Sequence, residues 1–141
     1  MQDRQSRELV DFLKSPASYP HRPGEVRSME THISWVFIAS PFVFKVKKTL
    51  SLGFLDFSTL EKRRHFCERE LKLNRRLAPE IYLDVVPIYK SSSGFSFNAL
   101  FSTLRFRAGH TANCYATKAA KRTRDGKSSN SMSIFPRSSA G

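Results

Sequence analysis

Two cysteines in 141 residues are too few for a disulfide framework or a cysteine-rich zinc site. Cys67 falls in the middle of a helical pattern, where a small core residue is its simplest role. His32 has no second ligand at a suitable spacing, so no metal site is expected. No stretch approaches the roughly 20 consecutive apolar residues of a membrane-spanning helix. The N-terminal M-Q-D-R-Q-S-R-E has no apolar core of the signal-peptide kind. No membrane partner is expected, and the expected location is the cytoplasm. Negative charge is the shortage with the widest consequence. Twelve acidic residues face 24 lysines and arginines, a formal net charge of +12. Beyond Asp84 only Asp125 is acidic, while Arg105, Arg107, Lys118, Lys121, Arg122, Arg124, Lys127 and Arg137 continue the basic series. Such a balance attracts polyanions without selecting among them.

What is present suffices for one core: 40% hydrophobic and 12% aromatic residues. Arg4 to Lys14 carries a partial apolar face of Leu9, Val10, Phe12 and Leu13 and predicts a short helix. The run S-P-A-S-Y-P-H-R-P-G ends it and forms a lead-in loop packed by Tyr19. Val26 to Met29 predicts a first strand. Trp35 to Ala39 is continuously apolar and predicts a buried one. After a turn at Ser40-Pro41, Phe42 to Lys47 alternates strictly. Phe42, Phe44 and Val46 share one face; Val43, Lys45 and Lys47 share the other.

Thr49 to Phe57 reads as an apolar loop. Ser58-Thr59-Leu60-Glu61 has the form of a capping box and predicts a helix to about Leu77, before Ala78-Pro79. Phe66, Leu73 and Leu77 define its apolar stripe, and Glu70 sits on that stripe. Cys67, Leu71 and Asn74 flank it. Ile81 to Tyr89 predicts a further strand and Phe95 to Phe106 an edge strand. From Arg107 onward the pattern fades, and a poorly ordered basic tail is expected.

One pairing carries chemistry. Lys45 lies inside an apolar strand pattern, and Glu70 lies inside the buried stripe of the helix that follows. In kinases a strand lysine holds the α- and β-phosphates, and a helix glutamate holds the lysine. The strand gives the lysine a fixed base, and the glutamate restricts its rotamers. The plainer alternative is a lysine snorkelling from a sheet edge, with Glu70 merely bordering the core.

The stretches T-H-I-S-W-V-F, F-K-V-K-K, L-G-F-L-D-F-S-T-L-E-K-R-R-H-F-C and E-L-K-L-N-R-R-L-A-P-E-I-Y-L-D-V-V-P-I resemble the N-terminal part of a bacterial aminoglycoside phosphotransferase-like family. Members often carry a second, P-loop ATP-binding domain. The resemblance covers about residues 19–88. It implies an α+β fold: a kinase-like N-lobe with a twisted antiparallel sheet of three to five strands and one main helix over about 58–77. Residues 1–24 would be the N-terminal helix and lead-in loop, 25–106 the lobe, and 107–141 the tail. It implies ATP as cofactor, with magnesium in the family. Lys45 would be the phosphate-binding lysine and Glu70 its partner, with Lys47 as the rival lysine on the same face. Val43 would lie against the adenine, and Thr31 to Ser34 would form the turn over the phosphates.

The chain departs from that pattern in ways that bear on activity. Gly24 and Gly53 are isolated, so there is no glycine-rich loop, and Thr49 stands where the family's lysine pair is usually followed by proline. The family's His-x-Asp catalytic loop with its Asn has no counterpart, since His110 is followed by Thr111 and Ala112. The magnesium-binding Asp is missing with it. No catalytic residue is assigned, and the chain is expected to be an inactive kinase-like remnant, truncated or frameshifted after about residue 90. Gly126-Lys127-Ser128 resembles the end of a P-loop, but Lys121 stands at the first glycine position and the match reads as chance. Two alternatives remain. One is a basic module contacting nucleic acid non-specifically through Lys118 to Lys127, with Arg105 and Arg107. The other is a fragment that self-associates through the exposed face of the lobe.

Overall fold

The computed structural model describes residues 4–97 and 112–120. Helix α1, Arg4–Lys14, forms because Leu9 and Leu13 stack one turn apart and are both buried, while Arg4 and Glu8 pair at 3.0 Å on the outer side. Pro16 stops it, and Pro16–Ser18 makes a single 3₁₀ turn. The lead-in loop is packed by Tyr19 as the sequence indicates. Its hydroxyl donates to the Leu13 carbonyl at 2.5 Å, and its ring lies 5.1 Å from that of Phe44.

Strands β1 (Arg27–Glu30), β2 (Ser34–Ala39) and β3 (Phe42–Lys47) form an antiparallel meander. Register pairs Phe37 with Phe44 and Trp35 with Val46, so the apolar positions of β2 and β3 meet on one face. That face carries the core. Leu9, Leu13, Tyr19, Phe37, Phe44, Val46, Ile88, Cys114 and Ala116 cluster there, with Phe12 and Phe97 packed alongside. Each large side chain so buried contributes about 1.5–3 kcal/mol.

Helix α2, Leu60–Arg75, covers the opposite face. It is followed by β4 (Tyr82–Ser91), β5 (Gly94–Ser96) and β6 (Ala112–Ala120). The sheet is wholly antiparallel, in the order β1-β2-β3-β6-β4-β5. Pro87 is tolerated in β4 because β5 pairs only with Tyr89 to Ser91, which leaves an edge at position 87.

Three expectations need correction. The sheet has six strands, not three to five. The additional strand, β6, lies within the segment expected to be a poorly ordered tail. It stands mid-sheet, with Ala116 to Ala120 on β3 and Ala112 to Ala119 on β4. Its sequence, A-N-C-Y-A-T-K-A-A, hides the strand because alanine, asparagine and lysine have low strand propensity. Burial comes instead from position, and Cys114, Ala116 and Ala120 all face the core. The remainder of the expected tail, and residues 98–106 of the expected edge strand, lie outside the described residues.

The other two corrections concern α2. Its cap is Thr59 rather than Ser58. Asp56 accepts from both the hydroxyl and the amide of Ser58, at 2.6 and 3.0 Å, so Thr59 takes the cap and accepts from the Lys62 amide at 3.2 Å. The buried stripe is also turned. Leu73 and Leu77 are exposed, while Cys67 is buried and Arg63, Glu70, Leu71 and Asn74 are partly so. The contact face is therefore rotated by about a fifth of a turn from the Phe66–Leu73–Leu77 line. Phe66 instead packs edge-on against Phe57, 4.9 Å between ring centres.

The central place of β6 yields a test. Ending the chain at residue 111 is expected to abolish cooperative thermal unfolding, because β3 and β4 then lose the strand that joins them. A sharp transition retained by that truncation would show that the sheet closes without β6.

Candidate functional site

The alternation of β3 sends Val43, Lys45 and Lys47 toward α2, and the stripe of α2 sends Glu70 back. The three charged side chains meet. Lys45 Nζ donates to Glu70 Oε1 at 2.9 Å, and Lys47 Nζ donates to Glu70 Oε2 at 2.7 Å. One carboxylate thus serves two ammonium groups, and the cluster carries one net positive charge.

The two lysines differ in surroundings. The Lys45 side chain is 37% exposed and that of Lys47 only 7%, with Glu70 at 20%. Lys47 is closed in by the 49–57 loop, whose buried Phe57 ring centre lies 5.2 Å from Nζ. Burial works against the charged form of Glu70. The Lys47 ammonium and then the Lys45 ammonium outweigh it, so the carboxyl titrates below its ordinary value.

Register defines what surrounds Lys45. It stands between Val36 of β2 and Thr117 of β6. Val43, two residues earlier on the same face, stands between Ile38 and Ala119. Val36, Ile38, Val43 and Ala119 are all partly exposed. The result is an apolar floor with an accessible ammonium at one end. Such a surface can stack a flat apolar group and hold an anion beside it.

Thr31 and Ser34 lie at the turn between β1 and β2, bonded to each other. The Thr31 amide and hydroxyl donate to the Ser34 carbonyl at 2.8 and 3.1 Å, and the Ser34 amide donates to Thr31 Oγ1 at 3.0 Å. Ser34 is fully buried and pairs in register with Lys47. These two residues therefore close the hairpin beside the lysine face. The signal that sequence reasoning missed is the β6 contribution to the floor, Thr117 and Ala119.

Neither cysteine is set up as a nucleophile. Burial pushes the Cys67 thiol up, and pushes that of Cys114 up to about 12. Among the described residues no three of His, Cys, Asp and Glu come together to hold a metal ion. A concavity of about 760 Å³ lies away from Lys45, along the flank of α2 between Arg64, Leu71, Arg75, Asp84, Tyr89 and Tyr115. Lys118, one of the cations of the nucleic-acid alternative, stands in β6 with Nζ 3.8 Å from the Phe42 ring centre. Its companions at 105, 107, 121, 122, 124 and 127 lie outside the described residues. No described helix is long and apolar enough to cross a membrane.

The cluster predicts an order of stability losses in urea denaturation. Glu70→Ala is expected to cost about 3 kcal/mol, because it leaves the buried Lys47 unpaired. Lys45→Met, at a more exposed pair, is expected to cost under about 1 kcal/mol. Since the folded pKa of Glu70 is depressed, its ionised form contributes stability above the unfolded value of about 4.3. That contribution is lost as pH falls through the folded value. The urea midpoint should therefore drop on acidification below about pH 5, and drop less in Glu70→Gln. Equal acid sensitivity in both proteins would show that Glu70 is not under the field of the lysines.

No protein-family model matches the chain. It is 42% identical over 65 residues to an uncharacterized protein of Mycobacterium tuberculosis and, equally, to one of Mycobacterium bovis. The match covers 46% of this chain and 13% of either relative, so the chain spans only a small part of the length of the curated relatives it matches. No solved structure matches.

Proposed function

We propose that the chain is the nucleotide-facing N-lobe of an aminoglycoside phosphotransferase-like protein, whose ancestral activity is ATP-dependent phosphoryl transfer to a small-molecule hydroxyl. The observation that carries this reading is the 2.9 Å bond between Lys45 of β3 and Glu70 of the helix that follows. A strand lysine held by a helix glutamate is what the phosphates of a nucleotide require at this point of a kinase. The apolar floor adds to it. Adenine would rest on Val43, flanked by Ile38 and Ala119, with Lys45 reaching the α- and β-phosphates. ATP fits this surface in charge, because the cluster keeps one positive charge after Glu70 is counted.

Magnesium has no such fit. Both oxygens of Glu70, the acid beside the lysines, are taken by ammonium groups. The proposed role is therefore to bind and orient the nucleotide weakly. Transfer itself needs a base and metal-held charge, for which the sequence offers no catalytic loop.

Calorimetric titration with ATP at low salt tests the reading. Weak binding that fades with added salt is expected, and Lys45→Met should abolish it while circular dichroism stays unchanged. Unaltered affinity in Lys45→Met would sink the proposal. Steady ATP hydrolysis by the purified chain, lost in Lys45→Met, would overturn the expectation of inactivity.

A further inference from the structure

We infer that Lys47 is a positioning residue of this site: it anchors the Glu70 carboxylate and so frees Lys45 to engage phosphate. The inference rests on the nucleotide reading above and divides the two lysines by role. On strand alternation alone they are equivalent. The structure separates them, since Lys47 is almost wholly enclosed under Phe57 and Lys45 is more than a third open.

The argument follows from where a charge can go. A buried ammonium cannot leave its carboxylate without stranding an ion away from water. Lys47 and Glu70 are thus bound to each other in every state of the folded protein. Lys45 is under no such constraint. It can keep one N–H on Glu70 Oε1 and offer the others to an incoming phosphate, its charge left over because Glu70 is balanced by Lys47 on Oε2. Without Lys47 the charge of Lys45 would be taken up by a largely buried carboxylate, and the cluster would lose its net positive charge. Removing Lys47 therefore weakens phosphate binding although Lys47 touches no phosphate.

Among the described residues few other groups bear on Glu70. From β3 they are Lys45 and Lys47, and from its own helix Cys67. From the other strands packed on α2, Tyr115 lies under Arg64, Asp84 acts on Lys118, and Thr117 is neutral.

Two measurements test the inference, and the first needs no nucleotide. Carbon-13 NMR titration of the Glu70 carboxyl in the free protein should show a larger upward shift in Lys47→Met than in Lys45→Met. Equal shifts, or the reverse order, overturn the anchor. The second is ATP affinity. Lys47→Met should bind at least tenfold more weakly than wild type, and Lys47→Arg, which keeps the charge, should recover most of the loss. In a Glu70→Gln background, Lys47→Met should have little further effect, because Lys47 acts through the carboxylate. The same tenfold loss in that background would make Lys47 a direct phosphate ligand and refute its positioning role. Should the wild-type chain bind no ATP at all, the proposed function fails, and the carboxyl titration still decides whether Lys47 is the anchor.

Discussion

An ammonium group with almost no access to water sets the terms for one face of this protein. Lys47 cannot be left alone there, and Glu70 is the acid that meets it. That requirement turns α2 about its axis so that Glu70 faces β3, where the carboxylate spans two lysines two residues apart. The remaining contacts of α2 agree with that placement. Cys67 is small enough to sit flat on β6, where Sγ lies 3.9 Å from the Tyr115 carbonyl. Leu73, in the last turn, and Leu77, just past the helix, are carried out into solvent although both are apolar.

The two faces of the sheet are built on different principles. The α1 face is packed by aromatic and aliphatic side chains around Phe37, Phe44 and Tyr19. The α2 face is only part covered. Its helix stands over β4 and β6 and contacts β3 through the charged cluster, leaving the floor around Val36, Ile38, Val43 and Ala119 half open. This is the side where packing is incomplete and charge is fixed. A rigid sheet under an adaptable ammonium is a suitable base for holding an anion at low conformational cost.

Much of this was legible in the residues, and the exceptions have specific causes. The strands β2 and β3 announce themselves through a continuous apolar run and a strict alternation. Lys45 and Glu70 are conspicuous because each interrupts an apolar pattern. The face of α2 is hard to read because its hydrophobic residues do not mark its contact side; a thiol, a carboxylate and an asparagine do. Strand β6 is hidden because its inward residues are alanines and a cysteine, whose burial is imposed by neighbours distant in sequence. The difference between Lys45 and Lys47 is invisible in the sequence for the same reason. It is created by Phe57, ten residues beyond Lys47, folding back over one ammonium and not the other.

The place of β6 also has a consequence for the order of assembly. The last described element of the chain fills the gap between two strands made much earlier. During synthesis, β3 and β4 emerge with unpaired backbone edges, each able to recruit a strand from another molecule. They stay so until residues 112–120 arrive, a delay on the order of a second or more at the usual pace of translation. Closure then depends on pairings 23 to 78 residues apart in sequence, the kind that makes folding slow. One of the two middle strands is thus the last among the described residues, and until it docks the nascent sheet is exposed to pairing with the wrong partner.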